Sequence, residues 1–320
     1  MLALLQDTLA AGLPALCKVV AETGFSLGCA LALGNLLLAW KIVPAPGSQS
    51  ASEDVRRAET ARSIRLLERW AVGALVLAAL CSCCWWPLIT QQMSGAASIA
   101  ETYVFMGVVL KQTTFGSILM FFWVMLGLGV LLLLANRGPI NRFFGKEMRG
   151  GTLVVVAMLP LMTPLAGHGE SVPPGYLLFM SLHVLAASAW IGALPGLVAA
   201  CYHQRSRATG ILERFSWLGI SCVSVLALSG LGQSLGLLNS WSGLFTTSYG
   251  VLIVLKLVLF ALALVLATLN RCYWTPRARY KGRALTISTG VEMGIGVLLF
   301  AAATLLAAQP PPGLMGSMSH

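Results

Sequence analysis

Charge is what this 320-residue chain has least of: Asp, Glu, Lys and Arg together make up 10% of it, and only 11 residues are acidic. A water-soluble domain of this length needs far more polar surface than that, so a soluble globular fold is excluded. Histidine is rarer still, with four in all. Neither a Walker A loop nor an Asp-Lys-Thr-Gly phosphorylation sequence occurs, which excludes the usual nucleotide-driven machinery. No polar stretch is long enough for a separate soluble domain. No basic segment leads into an apolar one at the start, so no cleavable signal peptide is expected.

What is present in quantity is hydrocarbon. Hydrophobic residues make up 57% of the chain and the mean hydropathy is +0.82. Apolar runs of about 20 residues, enough to cross roughly 30 Å of bilayer, recur along its length. Their positions are about 17–40, 70–90, 113–135, 151–167, 176–202, 215–238, 248–271 and 284–308. The expected fold is therefore all-α: a polytopic membrane protein of eight transmembrane helices, with membrane lipid as its surroundings. Residues 1–14 and 96–110 read as short interfacial helices on the outer side.

The net charge of +10 suggests nucleic acid until its placement is considered. Of 21 basic residues, 18 fall in every second loop: Lys41 to Arg69, Arg137 to Arg149, Arg205 to Arg214, and Arg271 to Arg283. Short loops rich in Lys and Arg stay in the cytoplasm, so both termini are expected on the periplasmic side. No nucleic-acid partner is implied. The polar stretch 41–69 has helical charge spacing (Glu53, Asp54, Arg57, Glu59, Arg62, Glu68) and reads as a solvated surface helix.

Glycines at Gly24, Gly28 and Gly34 in the first span, and Gly192-x-x-x-Gly196 in the fifth, are the small-residue steps that let helices approach closely. They also permit a homo-oligomer. Cys81, Cys83 and Cys84 supply soft sulphur, yet three cysteines within four residues of one helix cannot all point at one ion. They read as packing, with a copper relay as the alternative.

The centre of the chain is 160–202, two apolar spans joined by a short loop. Pro160 and Pro164 disturb the fourth span by removing backbone donors. His168 and Glu170 follow in the outward loop, and His183 falls about two turns into the fifth span. Met162 and Met180 add thioethers at similar depth. Imidazole with thioether suits copper better than magnesium or calcium, which take oxygen ligands. The candidate metal ligands are thus His168, His183, Met162 and Glu170. Their alternatives are histidines that only satisfy neighbouring helices, or a pair that ligates a b-type haem. Met315, Met318 and His320 form a possible secondary metal site in the tail, or a plain disordered end. Lys256 and Glu292 are charges buried in spans, either a structural pair or part of an ion pathway. No catalytic residues are expected.

These motifs together resemble the bacterial copper resistance protein D (CopD) family of inner-membrane proteins, over roughly 160–310. The residues that carry the likeness are GHGE at 167–170, LHVLAASAWIGALPGL at 182–197 and TSYGVLIVLKLVLF at 247–260, followed by NR ending at Arg271, VEMG at 291–294 and LLAAQPPP at 305–312. The resemblance implies an eight-span protein that handles copper ions at the periplasmic face, passes them toward the cytoplasm, and works with a small periplasmic copper-binding protein (CopC-like). By motif position the family's histidines fall on His168 and His183, its lysine on Lys256 and its acid on Glu292. The chain then divides into an N-terminal membrane part (1–150), a CopD-like membrane domain (151–309) and a Met/His tail (310–320).

Overall fold

The computed structural model describes residues 12–43, 53–137, 141–168, 174–237 and 248–307, and the described chain is helical throughout. The helices are α1 (Leu13–Leu37), α2 (Glu53–Ser94), α3 (Ile99–Gln112), α4 (Thr114–Ala135), α5 (Asn141–Met162), α6 (Leu165–His168), α7 (Pro174–Ile191), α8 (Leu194–His203), α9 (Ala208–Leu237), α10 (Ser248–Leu269) and α11 (Ala278–Ala307). Seven of the described segments are long and apolar enough to cross a membrane, which makes the chain an all-α polytopic membrane protein. The expected fourth span corresponds to α5. Its first half carries Arg142, Lys146, Glu147 and Arg149, and it runs antiparallel alongside α4, with Asn136 Nδ2 donating to Thr152 Oγ1 at 3.2 Å. The expected division at residue 150 falls inside this helix, and the outer helix expected at 1–14 lies largely outside the described residues.

α1 is the hub. Its most apolar stretch is 72% buried inside the protein, against 17% for α10, so α1 is wrapped by helices while the others turn a face to lipid. The glycines explain how it fits. A Cβ on Gly34 would overlap the backbone of Gly192 and Ala193, and one on Gly192 would strike the Ala30 carbonyl. On the other side of α1, a Cβ on Gly28 would sit 2.8 Å from the Ala74 carbonyl, and one on Gly24 would sit 2.6 Å from Cys81 Sγ. The helices thus meet backbone to backbone, the closest packing available where lipid offers no hydrophobic drive between spans. Phe25, Trp85 and Phe122 fill the next layer, with Phe25 and Phe122 ring centroids 4.9 Å apart.

Two expectations need correction. The polar stretch before the second span is not a separate surface helix, because α2 runs unbroken from Glu53 to Ser94. Nor is its whole charged face solvated: Glu68 is buried and accepts a hydrogen bond from Trp40 Nε1 at 2.8 Å. In the 160–202 hairpin Pro160 sits inside α5, and the interruption comes at Thr163-Pro164. A further interruption, at Gly192-Ala193, divides the fifth span into α7 and α8. Pro195 explains it: with no amide hydrogen it cannot continue the ladder of α7 but is well suited to the first turn of α8.

The basic loops gather at one end. Arg214 donates to the Ile42 carbonyl at 2.6 Å, Arg207 donates to Thr60 Oγ1 at 2.8 Å, and Arg149 lies 6.0 Å from the Trp40 ring. Three of the four basic loops, far apart in sequence, therefore share one face, as the alternating charge requires. The crossing of α1 and α7 gives the first expectation: Gly192→Val costs more than about 4 kcal/mol and abolishes monodisperse protein in detergent. Gly73→Ala, with nothing within 4 Å, keeps the fold and gains up to about 1 kcal/mol from helix propensity. Size-exclusion profiles and thermal melts in detergent check both.

Candidate metal centre

His183 lies nine residues into α7 from Pro174, about 13.5 Å along the helix axis. α7 packs antiparallel against α9 in a fixed register. Phe179 faces Gly232 and accepts from Gln233 Nε2 through its carbonyl at 3.4 Å; His183 meets Ser229; Trp190 meets Gly219.

The geometry at Ser229 decides how the imidazole is presented. Ser229 Oγ lies 3.0 Å from His183 Nδ1 and 2.6 Å from the Val225 carbonyl one turn back. A serine has one hydroxyl proton, and the carbonyl can only accept, so that proton goes to Val225. His183 Nδ1 must then be the donor to Ser229. The neutral ring therefore carries its proton on Nδ1 and leaves the Nε2 lone pair free. That is the tautomer of a metal-binding histidine, whose other nitrogen donates to a fixed acceptor. Ser229 is 2% exposed and held on α9, so the ring is fixed from behind.

α5 packs against α7, which places Met162 and His183 on touching helices. In the register of α4 against α5, where Gly129 meets Val156, Met162 comes level with about residue 124, roughly 15 Å below the start of α4. Met162 is partly buried, packed against the core. α6 ends at His168, whose side chain lies outside the described residues, as do Glu170, Met315, Met318 and His320. Among the described residues no three His, Cys, Asp or Glu side chains cluster. The cysteines of α2 diverge: Cys81 is half-buried against Gly24, while Cys83 and Cys84 are exposed.

The two buried charges part company. Asn270 Nδ2 donates to Glu292 Oε2 at 2.9 Å, and Lys256 lies 14 residues from Asn270 on the same line of helix, about 21 Å away. Lys256 is instead close enough to His183 for their charges to interact. A Lys256–Glu292 pair is therefore not formed. Ser229 and the role of Asn270 were invisible in the sequence. Ser229 is one serine in an apolar helix, and only the antiparallel register brings it to His183.

Two profiles divide the chain between them: "Copper resistance protein D-like, N-terminal domain" matches residues 13–173, and "Copper resistance protein D" matches 209–306. The chain belongs to the copper resistance protein D family. The likeness thus reaches across the N-terminal half, beyond the motifs at 160–310. Curated relatives agree. The chain is 30% identical over 212 residues to the copper transport protein CutJ of Bacillus subtilis, covering 63% of this chain and 38% of that protein. It is 31% identical over 139 residues to the inner membrane protein YebZ of Escherichia coli (41% of this chain, 48% of that protein). It is 27% identical over 235 residues to the copper resistance protein D of Pseudomonas syringae pv. tomato (66% and 74%). The chain thus spans less than half the length of the first two. No solved structure matches.

The Ser229 contact has a measurable consequence. Were His183 a copper ligand, Ser229→Ala, which removes the acceptor behind its ring, is expected to lower copper affinity about ten- to hundredfold, and Ser229→Thr to retain it. Competition titration of purified protein with a copper chelator measures the difference.

Proposed function

We propose that this chain is a copper transport protein of the bacterial inner membrane, which receives copper at the periplasmic face and passes it toward the cytoplasm. The observation that carries the reading is the contact of His183 Nδ1 with Ser229 Oγ, which leaves Nε2 as the ring's acceptor on a helix packed against the one that bears Met162. Family membership makes copper the metal, and an imidazole with a thioether is the donor set that copper favours. In this reading His168, the last residue of α6, and Glu170 just after it are the further ligands. The tail residues Met315, Met318 and His320 serve as an arm that captures copper, delivered by a small periplasmic copper-binding protein of the CopC kind.

The topology that goes with this reading counts α5 as a span, giving eight, with both termini in the periplasm. The clustering of Arg149, Arg207 and Arg214 around the ends of α1 and α2 supports it, since that end then faces the cytoplasm. Lys256 has a place in the same scheme. A cation beside the seat weakens metal binding and so favours release, which a transporter needs and a storage protein does not. No residue is assigned a catalytic role.

Sealed vesicles with copper on one side test the function directly. His183→Ala and His168→Ala each lower copper uptake at least tenfold and reduce the bound copper of purified protein; unchanged copper content in both variants defeats the reading. A Soret band in the purified protein would replace it with a haem-ligating one. Lys256→Met is expected to hold copper about tenfold more tightly, or ~1.4 kcal/mol, and to release it more slowly. Equilibrium dialysis and stopped-flow chelation follow the two effects.

A further inference from the structure

The other half of the bundle contains a cavity that the copper seat does not use. It measures about 220 Å³ and lies between α8, α9, α10 and α11. Trp190 forms part of its wall. That residue is two turns beyond His183 on the same face of α7, so the cavity begins about 10 Å below the imidazole, toward the basic end. Its lining includes no histidine, cysteine or methionine. A soft metal therefore finds no preferred ligand here.

What the cavity does contain is oxygen and one acid. Glu292, 4% exposed, lines it, as do Asn270, Thr289 and Ser216. Asn270 Nδ2 donates to Glu292 Oε2, while Asn270 Oδ1 is buried with no partner. An acceptor left unsatisfied at this depth calls for a donor, and the cavity has room for several waters to supply one. Asn270 also opens a widened helical turn, Asn270–Trp274, and irregular turns of this kind in a membrane occur where backbone borders a cavity.

The cavity adjoins a second one nearer the basic end of the molecule. Ser216, Arg271 and Thr275 also line a second cavity of about 400 Å³, with Thr209, Glu213 and Pro276. Those residues lie where the loops before α9 and α11 begin. The charged groups around Glu292 are few. Arg271 is the other one in the inner cavity, and its guanidinium lies 5.4 Å from the centre of the Trp217 ring. Glu213 shares the outer cavity with Arg271 and offsets its charge. No described lysine or arginine forms an ion pair with Glu292.

We propose that Glu292 is a proton-exchange site reached through this cavity from the basic, cytoplasmic end, with Asn270 as the residue that positions its carboxylate. The carboxylate takes a proton from hydronium in the cavity, leaving water, and returns it to water by the same path. A proton fits better than a metal cation. It needs one acceptor and a chain of waters, whereas sodium or magnesium needs several convergent oxygens and would meet Arg271 at the junction of the two cavities. The proposal is independent of the copper seat, although the cytoplasmic side is named by the same charge rule.

Dicyclohexylcarbodiimide, which reacts with protonated carboxyls in apolar surroundings, tests it on the full chain in sealed vesicles without copper. Peptide mass spectrometry reads the adduct. Glu292 is expected to be labelled, with labelling falling as the pH on the side of the Arg205–Arg214 loop is raised and indifferent to the pH on the other side. Excess sodium at fixed pH should give no protection. Glu292→Gln, still monodisperse, should lose the adduct at that peptide, and Asn270→Ala should displace the pH profile of labelling. Labelling that follows the opposite side, protection by sodium, or an absent adduct in folded wild type each overturns the site. An unchanged profile in Asn270→Ala overturns the role of Asn270. Because copper is absent, failure here leaves the copper reading intact, and loss of copper uptake in His183→Ala leaves this one intact.

Discussion

The bundle depends on α1 being able to lie against bare backbone on two sides. Gly34 faces Gly192 and Ala193, and Gly28 and Gly24 face Ala74, Ala78 and Cys81. In lipid, helices gain nothing by hiding apolar surface from one another, so association rests on close van der Waals contact and on the few polar groups that can pair. The glycines supply the first. They also fix how far along its axis each neighbour sits, because a ridge of carbonyls admits only a narrow set of registers. The seat of α7 on α1 in turn sets which residues of α7 look toward α9, and so which side chain meets His183.

Polar side chains then lock the rotation of each helix. Thr23 pairs with Thr304 at 2.9 Å, Trp123 with Ser82 at 2.9 Å, Asn136 with Thr152, His183 with Ser229, and Asn270 with Glu292. Each such bond is worth about 0.6–2 kcal/mol in a membrane, modest singly but decisive for orientation. Three of these pairs do not close on themselves: His183 donates through Nδ1 and keeps Nε2 as the ring's acceptor, and Asn136 and Asn270 each retain an unused acceptor in Oδ1. A packing bond that leaves one polar atom unspent is where a bundle can do chemistry.

How much of this was legible in the sequence follows from what is local. Apolar runs and alternating basic loops depend on neighbouring residues only, so the all-helical class and seven of the eight expected spans could be read directly. The glycine steps announced close crossings, though not with whom. α2 illustrates one limit: Glu53 to Glu68 has the same i, i+4 charge spacing whether it floats on the surface or extends a span, and burial of Glu68 against Trp40 is tertiary. Pro160 illustrates another. A proline inside a helix need not end it in a bilayer, while Pro195, at the first turn of α8, marks the break that does occur. Ser229 and Asn270 were beyond reach because each matters only through an antiparallel register set by long-range packing.

The His183 ring nitrogen and Asn270 Oδ1 lie in different chemical surroundings, and the difference constrains any path through the molecule. Nearer the end opposite the basic loops stands the His183 imidazole, on a helix packed against the one that carries Met162. Toward the basic loops the cavity offers carboxylate, amide and hydroxyl oxygen, with Arg271 at its junction with the outer cavity. Between them lies Trp190, 2% exposed and edge-on to Phe260 with ring centroids 6.4 Å apart. A soft ion leaving the imidazole would exchange a preferred ligand set for one it binds poorly, while a proton arriving from the basic end would find an acceptor but no continuous polar way past the indole. Three helices join the two regions: α7 carries His183 and Trp190, α9 carries Ser229 and Ser216, and α10 carries Lys256 and Leu264.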